Sequence, residues 1–215
     1  YPTSIRIVNW IKWNFKGALF SQIINESLFS QSLFLFNNVE KHILGNHILT
    51  NAKALIFAGL FFDGIEADKF YHKGIKIFIQ EIEEQILEDG AHFELSPMYH
   101  SLVLEDLLDI KNIHEKYSKK LSINLENIIK KMLYWLDYLS HPDNKISFFN
   151  DAALNICPNI FDLKKYAKRL KVETIKRSLK FQHLEDSGFV YYENLDAYLI
   201  ANIGGIKANY QPGHS

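Results

Sequence analysis

Between His47 and Phe62, apolar side chains occupy almost every side of a helical wheel. Such a helix exists in water only if neighbouring elements cover it on most sides. The chain supplies helical neighbours on both flanks. Thr3 or Ser4 can cap a first helix, with Ile7, Trp10, Ile11 and Phe15 near one face. Leu19 to Phe36 reads as a second, and Asn38 to Leu44 as a short third that Gly45 stops. Ile65 to Leu87 carries a stripe of Tyr71, Ile75, Phe78, Ile79, Ile82 and Ile86, with Lys69, Lys73, Lys76 and Glu83 on the wet face. Met98 to Ile113 follows. Then Leu125, Ile128, Ile129, Met132, Leu136 and Leu139 stripe a further helix, which His141-Pro-Asp-Asn144 ends. Helices paired through short loops predict antiparallel hairpins. No fixed-period repeat links them, which argues against a regular solenoid. A compact bundle and a toroid of curving hairpins both fit.

The pattern changes near Ser187. Phe189-Val-Tyr-Tyr192, Glu193-Asn-Leu-Asp196 and Ala197 to Ile203 predict strand, turn, strand. A lone hairpin is marginal in water, so these strands read as the start of a β domain. The expected division is 1–187 helical and 188–215 the opening of that second domain.

Composition narrows the function classes. The chain has 215 residues, 47% hydrophobic and 23% charged, with formal net charge −1. That charge gives no bulk argument for nucleic acid or an acidic membrane surface. Cys157 is the single cysteine, which excludes a disulfide framework within the chain. The longest apolar run, Ala54 to Phe62, is too short to span a membrane. There is no HExxH, no Cys/His cluster, no phosphate-binding glycine loop and no GxSxG. No metal site is therefore expected in this chain. Tyr1 and the closing Gly213-His214-Ser215 read as the ends of a piece of a longer protein.

Four local motifs have both a packing and a functional reading. Asn46, after Gly45, is a natural N-cap, or it aims an amide into a cleft beside His47. Ser96-Pro97 is a strong helix start. It places Tyr99 in the first turn, where the helix dipole favours a phenolate or a substrate carboxylate. Tyr99 otherwise packs inward, with His100 a satisfied interfacial histidine. Asn150-Asp151 before an apolar stretch is a turn or a cap, and His214 stands just past the Pro212-Gly213 turn. Trp10, Trp13 and Trp135 could stack on sugar rings, though core packing explains each.

In order along the chain, Gly45-Asn46-His47-Ile-Leu-Thr-Asn51-Ala-Lys-Ala-Leu, Asp89-Gly-Ala-His-Phe-Glu94-Leu-Ser-Pro-Met-Tyr99-His100, Phe149-Asn150-Asp151 and Tyr210-Gln-Pro-Gly-His214 resemble the heparinase II/III-like polysaccharide lyases. The early Arg6-Ile-Val-Asn9-Trp10-Ile also fits. The resemblance implies a mainly α fold: an incomplete (α/α) toroid followed by the first strands of a C-terminal antiparallel β-sandwich. It implies β-elimination at a uronic acid of an anionic polysaccharide or oligosaccharide, in a periplasmic or secreted bacterial protein. Asn46 matches the family position that contacts the uronate carboxylate. Tyr99 matches the acid, which for some substrates is also the base. His214 matches the first histidine of a His-x-His-x-Asp motif that supplies the other base. His47, Glu94, His100, Asn150 and Asp151 are the accompanying substrate-binding candidates. No cofactor is implied in this segment, although some members carry a structural divalent metal in the β domain. Oligomeric state is not implied.

The chemistry fits these groups. The C5 hydrogen of a uronate is only weakly acidic, and removing it builds charge beside a carboxylate. Amide donors at that carboxylate act where charge develops. Histidine is a suitable base near neutral pH, and tyrosine a suitable acid. Tyr99 as acid with His214 as base serves one uronate epimer, and Tyr99 performing both steps serves the other. Two rivals use the same framework: a uronyl C5-epimerase, and a non-catalytic acidic-saccharide-binding protein of exopolysaccharide assembly. A helical interaction domain would need all the ordered motifs to be coincidental.

Overall fold

Most segments with the helical period form helices, and the first begins at Pro2, ahead of Thr3 and Ser4, with Tyr1 at the N-cap and no side-chain cap bond. In a computed structural model, residues 1–43, 45–175, 177 and 180–207 are described. Among them the order is α1 (Pro2–Phe15), α2 (Gln22–Asn37), α3 (Gly45–Phe61), α4 (Ile65–Gln85), α5 (Pro97–Lys116), α6 (Leu125–Tyr138) and α7 (Ile160–Arg169), then β1 (Phe181–Leu184), β2 (Phe189–Glu193) and β3 (Tyr198–Asn202). The short helix expected over 38–44 is absent among the described residues of that span. Six or seven residues are too few to offset helix nucleation. Instead Asn37 and Asn38 donate their side-chain amides back to the carbonyls of Leu33 and Phe34, ending α2. Helix α7 was not anticipated, although Asn159 caps it by accepting from Asp162 N at 2.9 Å.

Two compact units emerge: Tyr1–Glu83 with Ile113–Lys120, and Glu84–Asn112 with the described residues from Leu121 onward. In the first, α3 is buried along most of its length, as its composition demands. Ile7 and Ile11 of α1 and Leu28 of α2 are fully buried. A Cβ on Gly59 would lie 2.4 Å from the Tyr71 backbone nitrogen, so only glycine permits that approach of α3 to α4. The buried face of α4 is accordingly turned from the expected stripe, toward Phe70, Ile77, Phe78 and Ile82. Lys73, expected in water, lies over the Phe36 ring at 4.4 Å.

The second unit packs around Trp135, which is fully buried. The three strands form an antiparallel sheet in order β1-β2-β3, with Leu184 opposite Phe189 and Tyr191 opposite Ile200. Phe189 meets Trp135 edge-on at 5.5 Å, and Tyr191 meets Tyr138 at 4.9 Å. Strand β1 begins eight residues before the first strand read from sequence. Its exposed Phe181 and half-buried Gln182 hide the alternation on which strand recognition rests.

Two fully buried histidines lie in this unit. His100 Nε2 donates to Met132 O at 2.9 Å, and Nδ1 accepts from His92 N at 3.2 Å. A carbonyl only accepts, so the tautomer is fixed and the ring is neutral. Its face stacks on Trp135 at 4.5 Å. Burial lowers the pKa of His100 to about 3, against a small opposing effect of the Met132 carbonyl. Burial, with the neighbouring His100, does the same to His92.

Two predictions follow from this packing. The unfolded histidines protonate near pH 6.5 and the folded ones only near 3, so the unfolded chain binds more protons between those limits and stability rises with pH there. Lowering the pH from 7 to 5 should cost about 2 kcal/mol per histidine. Chemical denaturation across that range checks it, and replacing both by glutamine should flatten the profile. Gly90 is the second case. It adopts φ +92°, and a Cβ would meet the Lys131 carbonyl carbon at 2.5 Å. Gly90→Ala should lose about 3 kcal/mol or more, from backbone strain plus the clash, measurable by urea denaturation.

Candidate functional site

The segment from Asp89 to His100 is a tight loop that ends by launching α5. Leu87 N bonds Ala91 O and Phe93 N bonds Gln85 O, closing the turn around Gly90. Asp89 accepts twice: Oδ1 from Ala91 N at 3.1 Å and Oδ2 from Ser187 N at 2.8 Å. Ser187 Oγ in turn accepts from Trp135 Nε1 at 2.9 Å. The loop is thus tied to the turn between β1 and β2. Buried Leu95 adopts φ +56°, costly for a branched residue. Ser96 then caps the helix, accepting from Tyr99 N at 3.5 Å, with Pro97 at the first helical position. The start of α5 matches the sequence expectation.

Tyr99 is half-buried in that first turn. Asn150, at φ +51°, donates Nδ2 to Glu94 O at 2.9 Å, which joins the 149–152 turn to the loop. Burial raises the Tyr99 pKa, and the negative charges of Glu94 and Asp151 raise it further. Tyr99, Glu94, Asn150 and Asp151 are therefore brought together, and their electrostatics hold the phenol protonated. His100 stands apart from them. Its ring is fully buried with both nitrogens engaged. The expectation that His100 contacts substrate is corrected to one of packing, because no ring nitrogen is left for a ligand. Trp135 is likewise a core residue and not a stacking platform, whereas Trp13 is 58% exposed.

Asn46 and His47 belong to the first unit. Helix α3 starts at Gly45, whose φ is +55°. Asn46 is thus inside the first turn, and its buried Oδ1 has no hydrogen-bond partner. An N-cap would accept through that oxygen, so the capping reading does not hold. A half-turn of the amide exchanges oxygen and nitrogen, leaving an uncommitted donor or acceptor. His47 is partly exposed, with Nδ1 3.6 Å from Glu40 Oε1. His47 is linked through Glu40 to a residue that carries no role in the sequence reading. Fully buried Asn51 accepts from Glu40 N at 2.9 Å and donates to Glu40 Oε2 at 2.8 Å and Ser4 Oγ at 3.1 Å. An asparagine one turn into an otherwise apolar helix was the available signal.

His214 lies outside the described residues. Among the described residues, no three His, Cys, Asp or Glu side chains group to hold a metal ion, and no helix is long and apolar enough to cross a membrane.

Comparison with known proteins adds an independent line. The profile of the Heparinase II/III N-terminus family matches residues 13–180. A heparin-sulfate lyase of Bacteroides stercoris is 35% identical over 113 residues, covering 51% of this chain and 17% of that protein. A heparin-sulfate lyase of Bacteroides thetaiotaomicron is 27% identical over 157 residues, covering 67% of this chain and 22% of that protein. The crystal structure of heparinase III matches with a TM-score of 0.75 at 20% identity, over 94% of this chain and 37% of that one. The chain spans 17% and 22% of the length of these two curated relatives. The structural likeness shows the fold, helical hairpins of the toroid class followed by the first antiparallel strands. With the profile covering most of its length, the chain belongs to the Heparinase II/III N-terminus family.

Proposed function

We propose that the protein carrying this chain is a polysaccharide lyase that cleaves a uronic-acid-containing anionic polysaccharide by β-elimination. One observation carries the reading: a tyrosine at the family's acid position, in the capped first turn of α5, is held protonated beside Glu94 and Asp151. The names of the relatives, heparin-sulfate lyases, support the substrate class.

In this reading a base removes the C5 proton of the uronate. The electron pair forms the C4–C5 double bond as the C4–oxygen bond breaks, and Tyr99 gives its proton to the leaving oxygen. Asn46 donates through its amide nitrogen to the carboxylate, where charge accumulates. Its contribution would come from the differential between ground and transition state. His214 is the proposed base. The acidic surroundings of Tyr99 favour the acid role and work against Tyr99 as base, since a phenolate needs positive charge nearby. Glu94, Asn150 and Asp151 are proposed to shape the leaving-group side, with Asn150 fixing the loop and the carboxylates keeping the proton on Tyr99. His47 is proposed to assist Asn46 at the carboxylate.

Tyr99→Phe in the intact protein should lower the rate by about 10²–10⁴-fold with little change in KM, followed by absorbance of the unsaturated uronate. A normal rate would exclude the assignment. C5 hydrogen exchange without the unsaturated product would point to epimerisation instead. The raised Tyr99 pKa also sets a pH dependence. An acid must be protonated, so the loss of kcat caused by Tyr99 ionisation should fall above the ordinary tyrosine value near 10. An alkaline limb centred well below 10, and absent from Glu94→Gln, would show that another group controls it.

A further inference from the structure

Helix α7 carries a constellation that shares no residue with the Tyr99 or Asn46 groups. One face of the helix and the turn after it line a cavity of about 910 Å³, with Phe161, Lys164, Lys165, Lys168, Lys171 and Glu173 among its walls. Four lysines thus face one carboxylate. Lys164 is paired with Asp137 at 2.6 Å. Lys165, Lys168 and Lys171 are exposed and form no ion pair among the described residues. Phe161 leaves its ring 62% exposed beside them. Positions 161, 164, 165 and 168 follow the i, i+3, i+4, i+7 pattern of a single helix face. At the helical rise, Phe161 and Lys168 are roughly 10 Å apart along the axis, the length of a short run of sugar residues.

Lys171 is the informative member. It follows the C-cap Leu170 and adopts φ +56°. Val172 N bonds Ala167 O at 3.0 Å across it. This is the left-handed helix-ending position that glycine fills most cheaply. Basic residues near a helix C-terminus complement its dipole, which accounts for Lys168 and Arg169. It does not account for Lys165 earlier in the helix, for a lysine where glycine costs less, or for the bare ring of Phe161.

We propose that this face of α7 is an accessory subsite for acidic polysaccharide. The lysines pair with carboxylate or sulfate groups, and Phe161 lies against a sugar ring. The subsite holds a long chain while cleavage proceeds at the Tyr99 group. The identity of the chain rests on the lyase reading, whereas its anionic character rests on the lysines alone. Nucleic acid is disfavoured, because the chain as a whole has net charge −1 and a single exposed ring stands in the groove.

The test compares intact wild-type protein with the Lys165→Ala/Lys168→Ala/Lys171→Ala triple variant, with Phe161→Ala and with Lys171→Gly. Retention on immobilised heparin is measured as the salt needed for elution. Kinetics are followed on long heparan sulfate and on a tetrasaccharide. The triple variant should elute at lower salt and show KM for the long chain raised about five-fold, as expected for a few exposed charge contacts. Its kcat and its tetrasaccharide KM should not change. Phe161→Ala should raise the long-chain KM with little change in elution salt. Lys171→Gly should bind more weakly while its Tm is no lower than wild type, which separates lost contact from lost folding. Unchanged elution and long-chain KM would overturn the proposal. So would an equal rise in KM for the tetrasaccharide, or a loss of retention seen on duplex DNA but not on heparin. If the intact protein has no lyase activity yet the triple variant loses retention, the subsite stands and the lyase reading falls.

Discussion

A tryptophan fully removed from water must still place its indole N–H. In the second unit Trp135 gives that proton to Ser187 Oγ, and the backbone of Ser187 binds Asp89. A buried donor left without a partner would cost about 1–3 kcal/mol, so the turn between β1 and β2 is held where the indole requires it. The same indole face receives His100, whose two nitrogens fix the end of the loop and the backbone of α6. Tyr99 is the residue beside His100. Its position therefore depends on a core interaction that contains none of the groups assigned to chemistry. The supporting layer is what gives a reactive side chain a defined geometry.

Two residues near Tyr99, Leu95 and Asn150, occupy left-handed backbone conformations without being glycine. Such conformations persist only where the surroundings over-determine them. Here the surroundings are Leu95 N on His92 O and the Asn150 amide on Glu94 O. They hold the loop and the 149–152 turn together, and burial with the charges of Glu94 and Asp151 keeps the proton on Tyr99. A more relaxed loop would let the carboxylates reach water, where their effect on Tyr99 would be screened.

Much of the fold was legible because helical periodicity and caps are local. The apolar wheel of α3, the Ser96-Pro97 start of α5 and the stripe of α6 all correspond to observed helices. What was missed depended on distant partners. The 38–43 segment has helix-forming residues, yet Asn51 captures its backbone from the next helix. The buried face of α4 is turned because Gly59 admits the α4 backbone, a fact of two helices and not of one. Strand β1 shows no apolar–polar alternation in its sequence, because Phe181 lies on the exposed side and polar Gln182 on the covered one. In the site, the ordered motifs pointed to Glu94, Tyr99, Asn150 and Asp151, and these four do gather. His100 stands next to Tyr99 in the motif, but helical geometry turns neighbours about 100° apart, and its side chain enters the core. The lysines of α7 formed no recognised motif, and their conjunction with Phe161 needed the helix itself to be identified.

The bond between Asp89 and Ser187 joins residues 98 positions apart in sequence. Chains are synthesised from the N-terminus, and domains commonly begin folding as they emerge. The loop that carries Tyr99 is thus made long before the residue that completes its tether. Until residue 187 leaves the ribosome, Asp89 lacks one backbone donor and the Trp135 indole has no acceptor there. The tether cannot close before then, so translation sets the earliest moment at which the loop carrying Tyr99 acquires its final support.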